Sequence, residues 1–415
     1  MKVFKFGGAS VKNAAGVKNV ASIIQSFSGD KLLIVVSAMG KTTNALEKIF
    51  SLSRSGQSFE REFRELKDYH VNITASLFQN NSVVVGEIEK ILMELNQALS
   101  LVEDADLVYD QVVSKGEILS TLIVHHYLAE QGILSCWVDA RKYIATDRSF
   151  REGKVDWKKS ADLIQQLIPV LNNNIIITQG FIGESPDGLT TTLGREGSDY
   201  SAAIFASCLH ASSVTIWKDV PGVMSADPKR LPDAIVFDEL PFREAAEMTY
   251  YGASVIHPKT IKPLANRNIP LFVKNFDDPS LPGTKIHECK VDHLPPLIVF
   301  KENQCLISCK VTDYTFVSEE QLSNIFITLS ELDVKINVMQ NSAISFSFCL
   351  DYRESKVMKL IERLQQNFEV YYNLGLTLIT IKNYDAVTFD TYRKKHGVIL
   401  EQSSRSTLQV LVKDF

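Results

Sequence analysis

The sequence predicts an α/β protein with a mainly parallel sheet, followed by a smaller α+β region. In the N-terminal part, short β-rich runs alternate with helical patterns, which is typical of crossover units around a parallel sheet. The run N-I-I-I-T-Q-G-F at 174–181 is apolar enough for a central strand of such a sheet. Beyond the segment D-H-L-P-P-L at 292–297, the order of patterns becomes β-α-β-β-α-β, as in the ferredoxin-like motif.

Composition favours a protein that acts on small molecules. The chain has 415 residues, 45% of them hydrophobic and 22% charged, which suits two or three domains with real cores. Its net charge of -5 provides no basic field, so neither nucleic acid nor a membrane surface is an expected partner. The N-terminus lacks the apolar region of a signal peptide, and we expect a cytoplasmic protein. The scattered cysteines are expected to be reduced thiols.

The elements of the first part follow from the spacing of apolar residues. Strands are predicted at 3–6, 32–37, 136–139, 174–181, 213–219 and 270–276. Helices are predicted near 13–27, from about 42, at 58–79, at 83–100, from 117, at the stretch that begins near 197, at 242–252 and from 257. The segment D-H-L-P-P-L at 292–297 contains two adjacent prolines, which suit a linker. We therefore place a domain boundary in this segment and predict domains at 1–291 and 297–415.

The stretch K-F-G-G-A-S, residues 5–10, ends a predicted strand and precedes a helix. Gly7 and Gly8 would let backbone N–H groups approach a phosphate, and Lys5 would add a mobile positive charge. For one such turn alone, a plain strand-to-helix connection is the more common explanation. The next strand ends in V-V-S-A-M-G-K-T-T-N, where Ser37 and Thr43 are the more useful hydrogen-bonding groups. Both loops would meet at the carboxyl edge of the sheet.

The stretch T-T-T-L-G-R-E-G-S-D-Y-S-A-A, residues 190–203, gathers charge and glycine at the start of a helix. Arg195 could bind a carboxylate or phosphate in a fork, and Asp199 could hold an ammonium group or a metal. An ordinary helix capped by Ser198 or Asp199 explains the same residues, and both interpretations stay open. We interpret Glu196 as a solvated charge. Glu117 in S-K-G-E is either a first-turn charge partner or a group that reaches an ammonium ion.

The loop W-K-D-V-P-G-V-M-S-A-D-P-K at 217–229 follows a predicted strand. Asp219, Asp227 and Lys229 suit a magnesium nucleotide, although turn chemistry explains much of this composition equally well. No set of residues at metal-ligand spacing is found, so no protein-bound metal site is predicted. The G-x-S-x-G motif of a serine hydrolase is absent from the sequence.

Six motifs in this order resemble those of the aspartate kinases: K-F-G-G-A-S, S-K-G-E, Q-G-F-I-G, T-T-T-L-G-R-E-G-S-D-Y-S-A, W-K-D-V-P-G-V-M-S-A-D-P and G-A-S-V-I-H-P-K-T. The similarity spans most of residues 1–290. It implies an amino-acid-kinase-type open αβα sandwich with a mainly parallel sheet. It also implies transfer of the γ-phosphoryl group of ATP, with Mg²⁺, to the β-carboxylate of L-aspartate. That reaction is the first step of lysine, threonine and methionine biosynthesis.

The resemblance implies a role for each matching residue. Lys5, Gly7 and Gly8 would stabilise the phosphates, with Ser37 nearby. Arg195 would bind the α-carboxylate of aspartate, and Glu117 and Asp199 its ammonium group. The residues implied to complete that pocket are Thr43, Phe181 and Ser198. The residues implied to contact ATP, besides Lys5, Gly7 and Gly8, are Lys218, Asp219, Met224, Asp227 and Lys229. The implied catalytic residues are Lys5, Gly8 and Asp199.

Four positions depart from the family pattern, and all of them concern the nucleotide side. Ala9 stands in place of the usual Thr, and Lys218 in place of a common Thr. Met224 replaces a frequent Tyr, and Ser254 replaces a Lys that reaches the nucleotide in many members. The residues of the aspartate pocket match the family pattern.

Residues 297–415 resemble the paired ACT modules of aspartate kinases, which bind effector amino acids and mediate dimers. The resemblance implies a homodimer through this region, with the second module shortened. Asn337 and Ala343 occupy positions that are acidic in lysine-sensing members, and the loop at 311–320 lacks the expected glycine. We therefore expect weak or absent inhibition by lysine.

Two other functions remain alternatives on the sequence alone. One is a sister phosphotransferase that acts on glutamate, N-acetylglutamate or a nucleoside monophosphate. The other is an amino-acid sensor without catalytic activity, which the changes on the nucleotide side would suit. The presence of Lys5, Glu117, Arg195 and Asp199 together favours the aspartate kinase interpretation over both.

Overall fold

The structure is a computed structural model that describes residues 1–253, 256–291, 293–312 and 316–413. These residues form two compact units. The first unit contains 1–223, 236–246 and the described part of 254–291, and the second contains 224–235, 247–253 and the described part of 292–415. None of the helices in the described ranges is long and apolar enough to span a membrane.

Strands and helices alternate along most of the first unit, as the sequence predicts. Its strands, with the numbers used below, are β1 (Lys2–Phe6), β2 (Leu32–Val36), β3 (Ser135–Val138), β4 (Ile175–Gln179), β5 (Ile182–Glu184), β6 (Thr190–Thr192), β7 (Ser213–Lys218), β8 (Glu239–Pro241), β9 (Leu271–Asn275) and β10 (Thr284–His287). The helices are α1 (Ala14–Gln25), α2 (Thr42–Arg54), α3 (Glu60–Leu77), α4 (Ser82–Leu99), α5 (Ala105–Val113), α6 (Lys115–Glu130), α7 (Trp157–Gln165), α8 (Ile168–Leu171), α9 (Gly197–Cys208), α10 (Phe242–Tyr250) and α11 (Pro258–Ala265). The part of α10 from residue 247 onward is assigned to the second unit.

The large sheet of the first unit has the strand order β3-β4-β2-β1-β7-β9-β10-β8 in the described residues. β1 pairs in parallel with β2 on one side and with β7 on the other. Among the pairings of this sheet in the described residues, that of β9 with β10 is antiparallel and the others are parallel. The predicted mainly parallel sheet is therefore confirmed. The strand order changes direction at β1, because β2 lies on one side of it and β7, from later in the chain, lies on the other. A crevice is expected at the carboxyl ends of strands where the order changes in this way.

Helix α9 packs against β1, β2 and β7. It is buried on nearly all sides, and Tyr200 is its one residue that is partly exposed. Its sequence S-A-A-I-F-A-S is rich in small residues, which lets the helix approach the strands closely. A helix that is apolar around its whole circumference belongs in a core. Packing therefore fixes the N-terminus of α9, and Asp199 in its first turn, at the crevice.

The second unit contains a six-stranded antiparallel sheet with the order β12-β13-β11-β14-β16-β15. Its elements are β11 (Leu297–Lys310), α12 (Glu319–Glu331), β12 (Ile336–Asn341), β13 (Ser345–Asp351), α13 (Glu354–Leu364), β14 (Glu369–Lys382), α14 (Ala386–Arg393), β15 (Val398–Ser403) and β16 (Thr407–Lys413). The elements from β11 to β14 follow the predicted β-α-β-β-α-β order, and α14, β15 and β16 come after them. Strand β14 continues without a break through Gly375, which takes φ 68°.

Candidate active site

A cleft of about 700 Å³ opens in the first unit where β1, β2 and β7 end. Ten of the fifteen site residues that the sequence predicts line it: Lys5, Gly8, Ser37, Thr43, Glu117, Phe181, Arg195, Ser198, Asp199 and Lys218. The other residues that line it are Ala38, Gly40, Glu47, Tyr109, Arg151, Glu152, Thr192, Gly194, Glu196 and Gly197. The cleft therefore combines groups from at least six elements and their loops.

A buried ion pair joins β1 to α9 in this cleft. The Nζ atom of Lys5 lies 2.6 Å from Oδ1 of Asp199, and the two side chains are only 10% and 3% exposed. The Nζ atom of Lys218 lies 3.6 Å from Oδ2 of the same carboxylate. Burial acts to raise the pKa of Asp199, but the two ammonium groups more than offset it and hold that pKa below its ordinary value. Asp199 is therefore ionised at neutral pH.

Glu117 is the second buried carboxylate of the cleft. It lies in the first turn of α6 and is 3% exposed. Its Oε1 accepts a hydrogen bond from the backbone N–H of Ala38 at 3.4 Å. Its Oε2 is buried and has no hydrogen-bond partner among the described residues. Burial raises the pKa of Glu117 to about 8. Burying a hydrogen-bond acceptor without a partner costs free energy, so this oxygen is suited to accept a hydrogen bond from a bound ligand.

Glycines allow the first two loops of the sheet to approach each other. A Cβ atom on Gly8 would lie 2.5 Å from the carbonyl oxygen of Ala38, which is too close for a side chain. The backbone N–H of Gly40 donates to the carbonyl oxygen of Gly8 at 2.9 Å. Gly116, the residue before Glu117, also permits a close approach, because a Cβ atom there would lie within 3.2 Å of three side chains. These contacts hold both loops and the start of α6 around one space.

Phe181 and Ser198 are held by a close contact between two loops. Phe181 has φ 69°, and its N–H donates to Oγ of Ser201 in α9 at 2.9 Å. A Cβ on Gly180 would lie 2.5 Å from Cβ of Ser198, and one on Gly197 would lie 2.6 Å from the ring of Phe181. The glycines of Q-G-F and of G-R-E-G therefore permit the contact. Both predicted residues line the cleft as a result.

The structure corrects the interpretation of Glu196. The sequence predicts a solvated charge there, but Glu196 is half-buried and lines the cleft. Its backbone takes φ 54° at the N-cap of α9, and Oε2 is buried without a hydrogen-bond partner in the described part of the chain. Burial raises the pKa of its carboxyl group. The prediction was wrong because the burial depends on the left-handed backbone conformation of Glu196, which a sequence pattern does not reveal. Arg195, one residue earlier, is exposed.

Three residues that line the cleft, Glu47, Tyr109 and Arg151, were not predicted from the sequence. The guanidinium of Arg151 lies 4.0 Å from the centre of the Tyr109 ring, and the Tyr109 hydroxyl donates to Oε1 of Glu47 at 2.5 Å. Buried Asp110 accepts hydrogen bonds from the backbone N–H groups of Arg151 and Thr192 at 2.9 and 2.8 Å. These residues lie in α2, in α5, in β6 and in the segment between β3 and α7, and they share no sequence motif, so no local signal could have grouped them.

Five predicted site residues are not among those lining the cleft: Gly7, Asp219, Met224, Asp227 and Lys229. The last three belong to the second unit. Asp227 accepts a hydrogen bond from the backbone N–H of Lys229 at 2.9 Å, which is the local turn that its sequence allows. Ser254, and residues 313–315 of the loop discussed for lysine, lie outside the described residues.

The chain is similar to known proteins over most of its length. Residues 1–275 match the model of the amino acid kinase family. Lysine-sensitive aspartokinase 3 of Escherichia coli strain K12 is 36% identical over 84% of this chain and 78% of its own length. Chloroplastic aspartokinase 2 of Arabidopsis thaliana is 32% identical over 88% of this chain and 69% of its own.

A solved structure supports the same relationship. Escherichia coli aspartokinase III in complex with aspartate and ADP matches with a TM-score of 0.84 at 31% identity, over 99% of this chain and 96% of that one. The chain therefore belongs to the amino acid kinase family. The relatives named above are aspartokinases, and the chain is accordingly a kinase that transfers a phosphoryl group.

The raised pKa of Glu117 generates a prediction about pH. Below about pH 8 most molecules with an empty cleft carry a neutral Glu117. If the ammonium group of the substrate binds beside Glu117, it favours the ionised carboxylate, and binding must then expel a proton. The value of kcat/KM for an amino-acid substrate should rise roughly tenfold per pH unit below pH 8 and then level off. Steady-state ADP release, measured over about pH 6 to 9 with aspartate as the varied substrate, checks this.

Glu117→Gln is the matched control, because it keeps the shape and one acceptor oxygen but cannot ionise. The variant should bind aspartate more weakly and should lose the rise in kcat/KM below pH 8. An unchanged pH profile in Glu117→Gln would contradict the assignment of this rise to Glu117.

Proposed function

We propose that the cleft of the first unit transfers the γ-phosphoryl group of ATP to the β-carboxylate of L-aspartate, with 4-phospho-L-aspartate and ADP as products. The observation that carries this proposal is the combination of charges in one space. Lys5, which Asp199 holds in an ion pair, provides a cation for phosphate, and the unpartnered Oε2 of Glu117 provides an acceptor for an ammonium group. Arg195 adds an exposed guanidinium at the rim.

The amino-acid side of the proposed site is built from α2, α6 and the start of α9. Arg195 binds the α-carboxylate in a fork, since a guanidinium matches a carboxylate in shape and charge. Glu117 accepts the ammonium group on its buried oxygen. The residues proposed to complete the pocket are Ser37, Thr43, Phe181 and Ser198, which line the same cleft.

The phosphoryl side of the proposed site uses Lys5 and the backbone of Gly7 and Gly8. The β-carboxylate of aspartate is ionised at neutral pH, so its oxygen attacks the γ-phosphorus without a protein base. A bond forms between that oxygen and phosphorus, and the bond to the β,γ-bridging oxygen breaks as ADP leaves with the electron pair. Catalysis then consists of positioning the reactants and stabilising the negative charge.

The nucleotide contacts of Asp219, Met224, Asp227 and Lys229 remain part of the proposal and rest on the family resemblance. Mg²⁺ commonly binds through substrate phosphates and one or two carboxylates. Glu196 fits that need, because its half-buried carboxylate has an Oε2 without a hydrogen-bond partner among the described residues. The ion, when bound, would neutralise charge on the phosphates.

A homodimer through residues 297–415 and a cytoplasmic location also belong to the proposal. The second unit exposes several apolar side chains, including Phe326, Ile327, Met339 and Ile344. Apolar side chains exposed in this number favour a protein partner, and a second copy of the chain satisfies this. Under this proposal the reaction opens the biosynthesis of lysine, threonine and methionine.

The proposed function predicts aspartate-dependent release of ADP from MgATP. Glutamate, N-acetylglutamate and UMP should give less than a tenth of that rate. Lys5→Ala should lower kcat by about 100-fold or more, because it removes a cation at the reacting group. Arg195→Ala should raise the KM for aspartate by about 10- to 100-fold, which is the effect expected from losing a charged hydrogen bond.

Arg64→Ala is the control for these variants, since Arg64 is exposed on α3 and does not line the cleft. It should behave like the unmodified protein. A higher rate with another acceptor than with aspartate would favour a sister phosphotransferase. Amino-acid binding without turnover of any acceptor would favour a sensor.

From the contacts of Asn337 in the second unit, we expect lysine to inhibit the reaction only weakly. The amide nitrogen of Asn337 donates to Asp351 and Gln304 at 2.9 and 2.7 Å, and its oxygen accepts from Lys301 at 2.8 Å. Asn337 is thus occupied by its neighbours and offers no carboxylate to a lysine ammonium group. Lysine at about 1 mM should change the rate less than twofold. The relative named lysine-sensitive, assayed in parallel, is the control, and strong inhibition of this chain below that concentration would contradict the prediction.

A further inference from the structure

We propose that Lys218 is a second catalytic cation, which contacts the transferring phosphoryl group together with Lys5. In this arrangement Asp199 is a positioning residue that holds both ammonium groups. The inference rests on the proposed phosphoryl transfer and assigns to Lys218 more than a contact with the nucleotide. It also removes Asp199 from the groups that bind the substrate ammonium, and leaves that role to Glu117.

The geometry places the two lysines as a pair. Lys5 lies in β1 and Lys218 ends β7, and these strands are parallel neighbours whose register pairs Phe6 with Trp217. Both side chains therefore leave the same edge of the sheet. Each approaches a different oxygen of Asp199, with Lys5 Nζ 2.6 Å from Oδ1 and Lys218 Nζ 3.6 Å from Oδ2. One carboxylate thus orients two cations from adjacent strands.

Burial distinguishes Asp199 from the two lysines. Its side chain is 3% exposed, whereas that of Lys218 is 22% exposed and lines the cleft. An incoming ligand therefore meets the ammonium groups before it meets the carboxylate. The contact of Lys218 with Asp199 is longer than that of Lys5, and both ammonium groups lie in the same cleft. These distances suit Asp199 to hold the lysines and not to receive a substrate cation.

The charges of this cluster suit an anionic ligand. Two ammonium groups share the carboxylate of Asp199, so these three side chains together carry one positive charge. Glu196 also interacts electrostatically with Lys218 and Lys5. Negative charge spreads over the oxygens of the phosphoryl group as the bond to ADP breaks and the bond to the β-carboxylate forms. Two cations fixed in advance on either side of Asp199 would stabilise that charge without moving far.

Lys218→Met tests the inference, because it keeps the length of the side chain and removes its charge. With MgATP and aspartate, kcat should fall about 100- to 1000-fold, while the KM for aspartate should stay within about threefold. The variant should bind MgADP nearly as well as the unmodified protein. It should lose most of its affinity for MgADP with aluminium fluoride and aspartate, which imitate the transferring group. Calorimetry measures both affinities.

Two further variants separate this role from a structural one. Lys218→Arg keeps a cation and should retain at least tenfold more kcat than Lys218→Met. Lys158→Met removes an exposed lysine of α7 and should match the unmodified protein. If Lys218→Met does not fold, Lys218→Thr replaces it with the same expected results.

A kcat within about threefold of the unmodified value in the neutral variant would overturn the inference and leave the proposed function intact. Equal loss of affinity for MgADP and for the aluminium fluoride complex would also overturn it, since Lys218 would then bind the nucleotide alone. Absence of aspartate-dependent ADP release from the unmodified protein would instead contradict the proposed function.

Discussion

The buried ion pair between Lys5 and Asp199 is the interaction on which the cleft depends. A carboxylate that is 3% exposed loses its hydration and stays ionised only with close positive partners. Because Lys5 lies near the end of β1 and Asp199 in the first turn of α9, the ion pair joins the sheet to the start of the helix. The dipole of α9 favours a negative charge at the same place. Sheet, helix and electrostatics therefore specify one position for these groups.

The cleft contains two buried carboxylates whose pKa values move in opposite directions. Asp199 has two lysines beside it and a lowered pKa, whereas Glu117 has burial as its main influence and a pKa near 8. Different neighbours give similar groups different tasks. A permanently ionised Asp199 can organise cations for a phosphoryl group. Glu117, with an oxygen that lacks a partner in the described residues, is suited to a cation that arrives with the substrate.

Much of the fold followed from the sequence because its signals are local. Alternating strands and helices predicted the parallel sheet, and the motif around Arg195 and Asp199 predicted the charges at the mouth of α9. Glu196 was misjudged because its burial depends on a left-handed turn at φ 54°, which one sequence does not reveal. The contact of Arg151 with Tyr109 was missed, since those residues are distant in sequence. Long-range packing determined what local patterns could not.

In the proposed site Asp199 acts through Lys5 and Lys218 and not by direct contact with the substrate. A double-mutant cycle with Lys5→Met, Asp199→Asn and the double variant tests it most directly, with kcat measured for aspartate-dependent ADP release. Each single substitution should lower kcat by about 100-fold, while Asp199→Asn in the Lys5→Met background should cost clearly less than about 100-fold more, because only its effect through Lys218 remains. Losses that multiply, so that the double variant loses the product of both effects, would contradict the claim.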